Sequence, residues 1–232
     1  VPDEIRPQVI KSLIDNLIAN GNHSTSGIIG CAWLYPVLSD LGYHDLAVEV
    51  ASQTTYPSFG YMFNNDVLNA TTNWESFHSL LPGQPAQDSL NHHMLNSIGS
   101  WFYRYLAGIQ LDGFHQDLII HPRLTTRLTN IDAEVHSIAG SILVSWEILR
   151  DKHIVNYKLT IPNGLHCQMT FEPLHSSSQC LSIKENHRLV WNQMETKTKT
   201  NGIDWIRFHP TIANGIQMRI ESGSYHWQVQ WN

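Results

Sequence analysis

With 232 residues, 42% hydrophobic and 15% charged, the chain has the composition of a packed protein and the length of one large or two modest domains, which excludes a disordered segment. From Ser12 to Tyr103 there is no Lys or Arg but seven acids (Asp15, Asp40, Asp45, Glu49, Asp66, Glu75 and Asp88), whereas the rest carries all 14 basic residues against 13 acids. Phosphate backbones are bound by displacing counterions with Lys and Arg, so this half excludes a nucleic-acid partner and fits a neutral ligand best.

The opening VPDEIRPQVI already reads as helix, as expected of a piece of something longer. Val9, Ile10, Leu13, Leu17 and Ile18 recur at helical spacing, and Asn20 and Gly21 stop the segment. Ser24, Thr25 and Ser26 offer N-caps to a second helix carrying Ile28, Ile29, Trp33, Leu34, Val37 and Leu38, closed by Leu41 and Gly42. Asp45 is placed to cap a third helix through Ala51. TTYPSFGYMFNND then reads as an aromatic loop broken by Pro57 and Gly60. A short helix is expected after Thr72, and a long one from about Ser89 to Leu106, closed by Gly108.

Beyond this point the hydrophobic period changes from 3.6 to 2. DLIIH (117–121), SILVSWEIL (141–149), HIVNYKLTIP (153–162) and HCQMTF (166–171) are short β-rich runs, with Arg150–Lys152 as a hairpin connection. Ile216–Glu221 and Tyr225–Trp231 continue the pattern. The fold class is therefore α+β and multidomain: helices over residues 1–112, then an antiparallel β-sandwich over residues 113–232. The β half has no cluster of titratable residues at motif spacing and reads as structural.

Two readings meet at Glu75. Thr72, Asn73, Trp74 and Glu75 fit a capping box, with Thr72 taking the amide of the third helical residue and Glu75 returning to Thr72. Against it, the stretch holds no cation to pair with Glu75, and Trp74 with Tyr56, Phe59 and Tyr61 offers aromatic faces on which sugars stack. An unpaired carboxylate in partly apolar surroundings is poised as a general base. Asn91, His92 and His93 fall in the first turn of the expected long helix, where adjacent residues diverge, so only one histidine can share a site with Glu75. None of the 14 histidines forms an HxxxH pair, and no metal is expected. Cys31, Cys167 and Cys180 form no CxxC; Cys167 and Cys180 read either as a bridge between strands or as buried thiols. No apolar run reaches the ~18 residues of a transmembrane helix, so no membrane partner is expected.

Taken together, HSTSGIIGCAWLYPVLSDLGYHDLAVEVASQTTYPSFGYM, ATTNWESF and DSLNHHMLNSIGSWFYRYLAGIQ resemble the C-terminal part of α-L-rhamnosidases of glycoside hydrolase family 78. The resemblance implies the last portion of an (α/α)6 barrel followed by a C-terminal sandwich. It implies that Glu75 is the general base that activates water in an inverting hydrolysis, and that His92 lines the pocket. It places Phe59 and Tyr61 in the loop bordering the pocket, with Trp74 beside Glu75 as a further substrate-binding candidate; the family carries tryptophan where this chain has Phe59. The substrate implied is an L-rhamnose-containing glycoside, with no cofactor.

The family's general acid lies upstream of anything in this sequence, and a complete barrel has twelve helices where about five are read here. The missing N-terminal part of the same enzyme is therefore an expected partner. The alternative is an inactive remnant that recognises rhamnose or serves only a structural role.

Overall fold

A computed structural model describes residues 1–63, 70–111, 117–175, 177–193 and 202–232. It forms two compact units, Val1–Trp101 and Phe102–Asn232.

The first unit contains helices α1 (Arg6–Ala19), α2 (Ile28–Asp40), α3 (His44–Ala51), α4 (Phe59–Phe63) and α5 (Ser97–Trp101). The first three stand where the apolar spacing placed them. Their caps do not: α2 starts at Gly27 and α3 at Tyr43, neither with a side-chain cap. Ser24 Oγ instead accepts the Ser26 N–H at 3.2 Å and holds the turn ahead of α2. A single hydroxyl organises the helix packing. Ser39 Oγ donates to Tyr35 O at 2.8 Å, accepts from Trp101 Nε1 at 2.9 Å and lies 2.9 Å from His44 Nδ1. It thereby ties α2, α3 and α5 together around the Tyr35 and Trp101 rings, whose centroids are 5.3 Å apart.

The expected long helix is cut short at its N-terminal end. Residues 89–96 form no regular helix; α5 begins only at Ser97 and gives way to a π-helical turn, Phe102–Leu106. The short helix expected after Thr72 is absent as well, and bends occupy that stretch. Both departures have one cause, the pairing of these two segments with each other described below.

The second unit is a sandwich. Strands β1 (Ile109–Leu111), β2 (Asp117–Ile120), β6 (His166–Phe171), β10 (Ile216–Ile220) and β9 (Ile203–Phe208) make a five-stranded sheet in that order. The other sheet has six strands, in the order β3 (Asn130–Ser137), β4 (Gly140–Leu149), β5 (Ile154–Ile161), β11 (Gly223–Trp231), β7 (Cys180–Glu185) and β8 (Arg188–Asn192). Alternating side chains such as Ile142, Val144, Trp146 and Ile148 on β4 point into the shared core. One pairing departs from the antiparallel expectation: β2 runs parallel to β6. Intervening strands β3 to β5 cross to the opposite sheet, so the chain returns in the same direction. The Arg150–Lys152 hairpin is a 3₁₀ turn ending on left-handed His153 (φ 53°).

The two cysteines at issue, Cys167 on β6 and Cys180 on β7, belong to different sheets and are buried free thiols, as is Cys31. Burial pushes the Cys180 thiol up to about 12, which disfavours a reactive thiolate there. Among the described residues no helix is long and apolar enough to cross a membrane.

Two local features carry testable weight. Gly108 adopts φ +76°, and a Cβ there would lie 2.2 Å from the His121 carbonyl carbon and the Pro122 nitrogen. Gly108→Ala therefore combines a left-handed backbone with a backbone clash and is expected to cost more than about 1 kcal/mol, read as a lowered denaturation midpoint.

At the ends of β2 and β6, Glu172 Oε2 lies 2.8 Å from His121 Nε2 and accepts from Arg123 Nη1 at 2.7 Å. Burial raises the Glu172 carboxyl, but the His121 hydrogen bond and the Arg123 charge outweigh it and hold the group below its ordinary 4.5. A depressed folded-state value stabilises the fold above the unfolded value and loses that contribution as the pH falls through the folded one. The melting-temperature gap between wild type and Glu172→Gln is therefore expected to be present above pH 4.5 and to close below it.

Candidate active site

Thr72 to Ser76 runs alongside Asp88 to His92 in the opposite direction. The His92 N–H donates to Asn73 O at 2.8 Å and the Glu75 N–H to Ser89 O at 2.9 Å. Thr72 Oγ1 donates to Leu90 O at 2.5 Å, and Ser76 Oγ donates to Asp88 Oδ2 at 2.8 Å. These bonds use the amides and hydroxyl that a capping box and a helix start require for themselves. The capping-box reading of Glu75 is overturned: Thr72 and Glu75 do not cap each other.

What Glu75 does instead is hold one oxygen in place. The Ser89 N–H donates to Glu75 Oε2 at 3.3 Å, and no hydrogen bond reaches Oε1 among the described residues. The side chain is half-buried and lines a cleft of about 400 Å³. The other walls are the turn 24–28, Tyr56 with Pro57, Ser76–His78 and Leu95. Among those lining residues Glu75 is the one carboxylate.

The histidines also differ from expectation. His92 and His93 lie ahead of the helix rather than in its first turn, and their rings stack with centroids 5.2 Å apart and planes 15° apart. Both therefore sit on the same side of the chain. The Met94 N–H donates to His92 Nδ1 at 3.4 Å, so Nδ1 is an acceptor and a neutral imidazole carries its proton on Nε2. His92 is thus set as a donor through Nε2. Its backbone is fixed two residues from Glu75 by the bond to Asn73.

The aromatic residues divide by burial. Trp74 is 2% exposed and Phe59 8%, and Phe59 packs edge-on against Phe77 at 5.2 Å. Neither offers an open face. Tyr61 is half-buried and meets Tyr56 edge-on at 5.3 Å. Tyr56, 46% exposed, is the aromatic of this loop that reaches the Glu75 cleft. Trp74, Phe59, Tyr61 and His92 are not among the cleft's lining residues.

Sequence reasoning assigned the turn 24–27 to a helix cap and so missed it as a wall of this cleft; the missing signal is that a cap leaves its hydroxyl bonded to the helix amides, which only coordinates reveal. Among the described residues no group of three or more His, Cys, Asp or Glu side chains could hold a metal ion.

Comparison with known proteins places this arrangement. The bacterial α-L-rhamnosidase 6-hairpin glycosidase domain matches residues 1–106, and the bacterial α-L-rhamnosidase C-terminal domain matches residues 110–179. The chain belongs to the bacterial α-L-rhamnosidase family. Among curated relatives, an α-L-rhamnosidase of Alteromonas sp. is 35% identical over 171 residues, 71% of this chain and 18% of the relative. One from Streptomyces avermitilis is 33% identical over 153 residues, 63% of this chain and 14% of the relative. The solved α-L-rhamnosidase of Dictyoglumus thermophilum superposes with a TM-score of 0.80 at 26% identity, covering 99% of this chain and 24% of that one. This rhamnosidase-family chain thus spans less than a fifth of the length of either curated relative. Its helical unit corresponds to part of a six-hairpin domain, and its sandwich to the region that follows.

Proposed function

We propose that the chain supplies the general-base side of an inverting α-L-rhamnosidase, acting on terminal α-L-rhamnosyl glycosides as the C-terminal portion of a longer enzyme. The observation that carries the reading is the half-anchored carboxylate. Glu75 Oε2 is held by the Ser89 amide, while Oε1 remains to take a proton from water in the cleft.

In the reaction, Glu75 deprotonates the water as it attacks the anomeric carbon. The C–O bond to the aglycone breaks on the opposite face, and the leaving oxygen takes a proton from a second carboxyl group. In inverting glycosidases the two carboxyls stand about 6.5–9.5 Å apart, which leaves room for the water. Among the described residues lining this cleft Glu75 is the one carboxylate, and the family resemblance assigns the acid to a motif upstream of this sequence. His92 lies outside the lining of this cleft; the family resemblance gives it, with its donor on Nε2, a hydrogen bond to the sugar or the water where the rest of the barrel completes the pocket. A neutral glycoside suits the unit, as residues 12–103 contain no Lys or Arg.

Exposed apolar side chains on the helices support incorporation into a larger barrel. Val9 and Ile18 on α1 and Ile29 and Trp33 on α2 are 45%, 60%, 70% and 67% exposed, the kind of surface that a neighbouring helix layer covers.

The test is the stereochemistry of the product. Full-length enzyme given an aryl α-L-rhamnoside should release β-L-rhamnose first, as seen by NMR before mutarotation. Release of the α-anomer would remove the inverting mechanism and the base role together. The alternative, a rhamnose-binding remnant, holds if the full-length protein binds rhamnose and shows no turnover.

A further inference from the structure

We infer that Asp88 is a positioning residue for the proposed base: its carboxylate latches the two paired segments together and so aims the Ser89 amide at Glu75. This role rests on the function proposed above, and it falls to a side chain outside the lining of the Glu75 cleft.

Glu75 and Ser89 are bonded to each other twice. The Glu75 N–H donates to Ser89 O at 2.9 Å, and the Ser89 N–H donates to Glu75 Oε2 at 3.3 Å. The second bond holds the carboxylate and lies at the long end of the hydrogen-bond range, so a small shift of the amide releases it. That amide belongs to the peptide joining Asp88 to Ser89. Whatever fixes Asp88 therefore also orients the donor.

Ser76, Ser79 and His78 converge on Asp88. Its Oδ2 accepts from Ser76 Oγ at 2.8 Å and from Ser79 Oγ at 3.4 Å, and lies 3.9 Å from His78 Nε2. Ser79 is 0% exposed; its Oγ accepts the Ser76 N–H at 2.9 Å and lies 3.0 Å from Ser76 Oγ. Ser76 follows Glu75 and Asp88 precedes Ser89, so the latch closes directly behind the Glu75–Ser89 pair. Packing cannot supply this order, because residues 82–89 are all exposed and the excursion between the two segments buries little apolar surface. Polar contacts set the register instead, and bonds to a carboxylate are roughly twice as strong as those between neutral groups.

The experiment measures kcat and KM of the full-length enzyme on an aryl α-L-rhamnoside, with the melting temperature of each variant. Asp88→Ala is expected to lower kcat by about 10- to 10²-fold, the effect of a reacting group displaced by about 1 Å. KM should move by less than about 3-fold, since the base acts only as the water gives up its proton. Asp88→Asn, whose amide oxygen still accepts both serine hydroxyls, should recover kcat to within a few-fold of wild type. Ser76→Ala removes the 2.8 Å donor and leaves Asp88 in place. It should lower kcat several-fold, and it takes the place of Asp88→Ala if that variant fails to fold.

The deciding readout is a double-mutant cycle with Glu75→Gln. A residue that acts through Glu75 has nothing left to position once the base is gone. Asp88→Ala should therefore change the residual rate of Glu75→Gln by less than about 2-fold. A purely structural role would give losses that multiply, and that result overturns the assignment. So does an unchanged kcat in Asp88→Ala. Asp88→Asn as damaging as Asp88→Ala overturns it too, by placing the effect in the charge. If Glu75→Gln loses turnover while Asp88→Ala does not, only the assignment of Asp88 fails. If Glu75→Gln stays active, the base reading fails and the role of Asp88 with it.

Discussion

Glu75→Gln in the full-length enzyme is expected to lower kcat on an aryl α-L-rhamnoside by about 10²–10⁴-fold, the contribution of a general base. The substitution is nearly isosteric. The amide oxygen can still accept the Ser89 N–H that Glu75 Oε2 accepts at 3.3 Å, so the pairing of residues 72–76 with 88–92 survives and the melting temperature should stay close to that of wild type. KM should move little, because the lost interaction develops only as the water gives up its proton. The limb of the pH–rate profile that reports deprotonation of the base should vanish with it. Activity within a few-fold of wild type would show that Glu75 serves the loop alone. The same outcome would be expected had the carboxylate capped a helix, since glutamine serves in a capping box as well as glutamate.

The second large effect concerns the sandwich. Phe171→Ala is expected to destabilise the protein by about 3–5 kcal/mol, measured as a shift in urea midpoint at constant slope. Phe171 ends β6 with 0% exposure. Its ring meets Tyr157 of β5 edge-on at 5.0 Å and Trp227 of β11 at 5.4 Å. Phe171 thus belongs to the five-stranded sheet, and both of its aromatic neighbours belong to the six-stranded one. Truncation opens a cavity where the sheets meet, and the β-ladders on either side resist collapse into it. A loss below about 1 kcal/mol would mean that the two faces can close over the gap.

How much of this was legible in advance depended on the range over which each signal acts. Helices α1 to α3 follow from apolar side chains three and four residues apart, and their ends from Gly21 and Gly42, whose φ values of +65° and +85° suit glycine. Strands β4, β5 and β6 follow from alternation that one sheet face enforces on every second residue. Strand β3 alternates as well, Ile131, Ala133 and Val135 against Asp132, Glu134 and His136, but its inner positions are only half-buried and weakly apolar. An edge strand keeps polar residues facing water.

The segment around Glu75 shows the limit most directly. Local spacing pointed to a capping box and to a helix from Ser89, and both are absent. The bonds that displaced them join residues 12 to 19 apart, from Ser76 with Asp88 to His92 with Asn73.

By itself, then, the amino-acid sequence determined the helix-then-strand order, the cation-free helical half and the identity of Glu75 and His92 as candidates. The first two are properties of composition and of neighbours within a turn or a pleat; the two candidates were singled out by the family resemblance. The tertiary structure alone decided that β2 and β6 run parallel, that Cys167 and Cys180 lie in separate sheets, and that Trp74 and Phe59 are buried while Tyr56 is open to the cleft. The physical reason is the same in each case. Backbone amides and aromatic faces are satisfied by whichever partner the packed chain brings near, and that partner is set by burial across the whole unit rather than by residues adjacent in sequence.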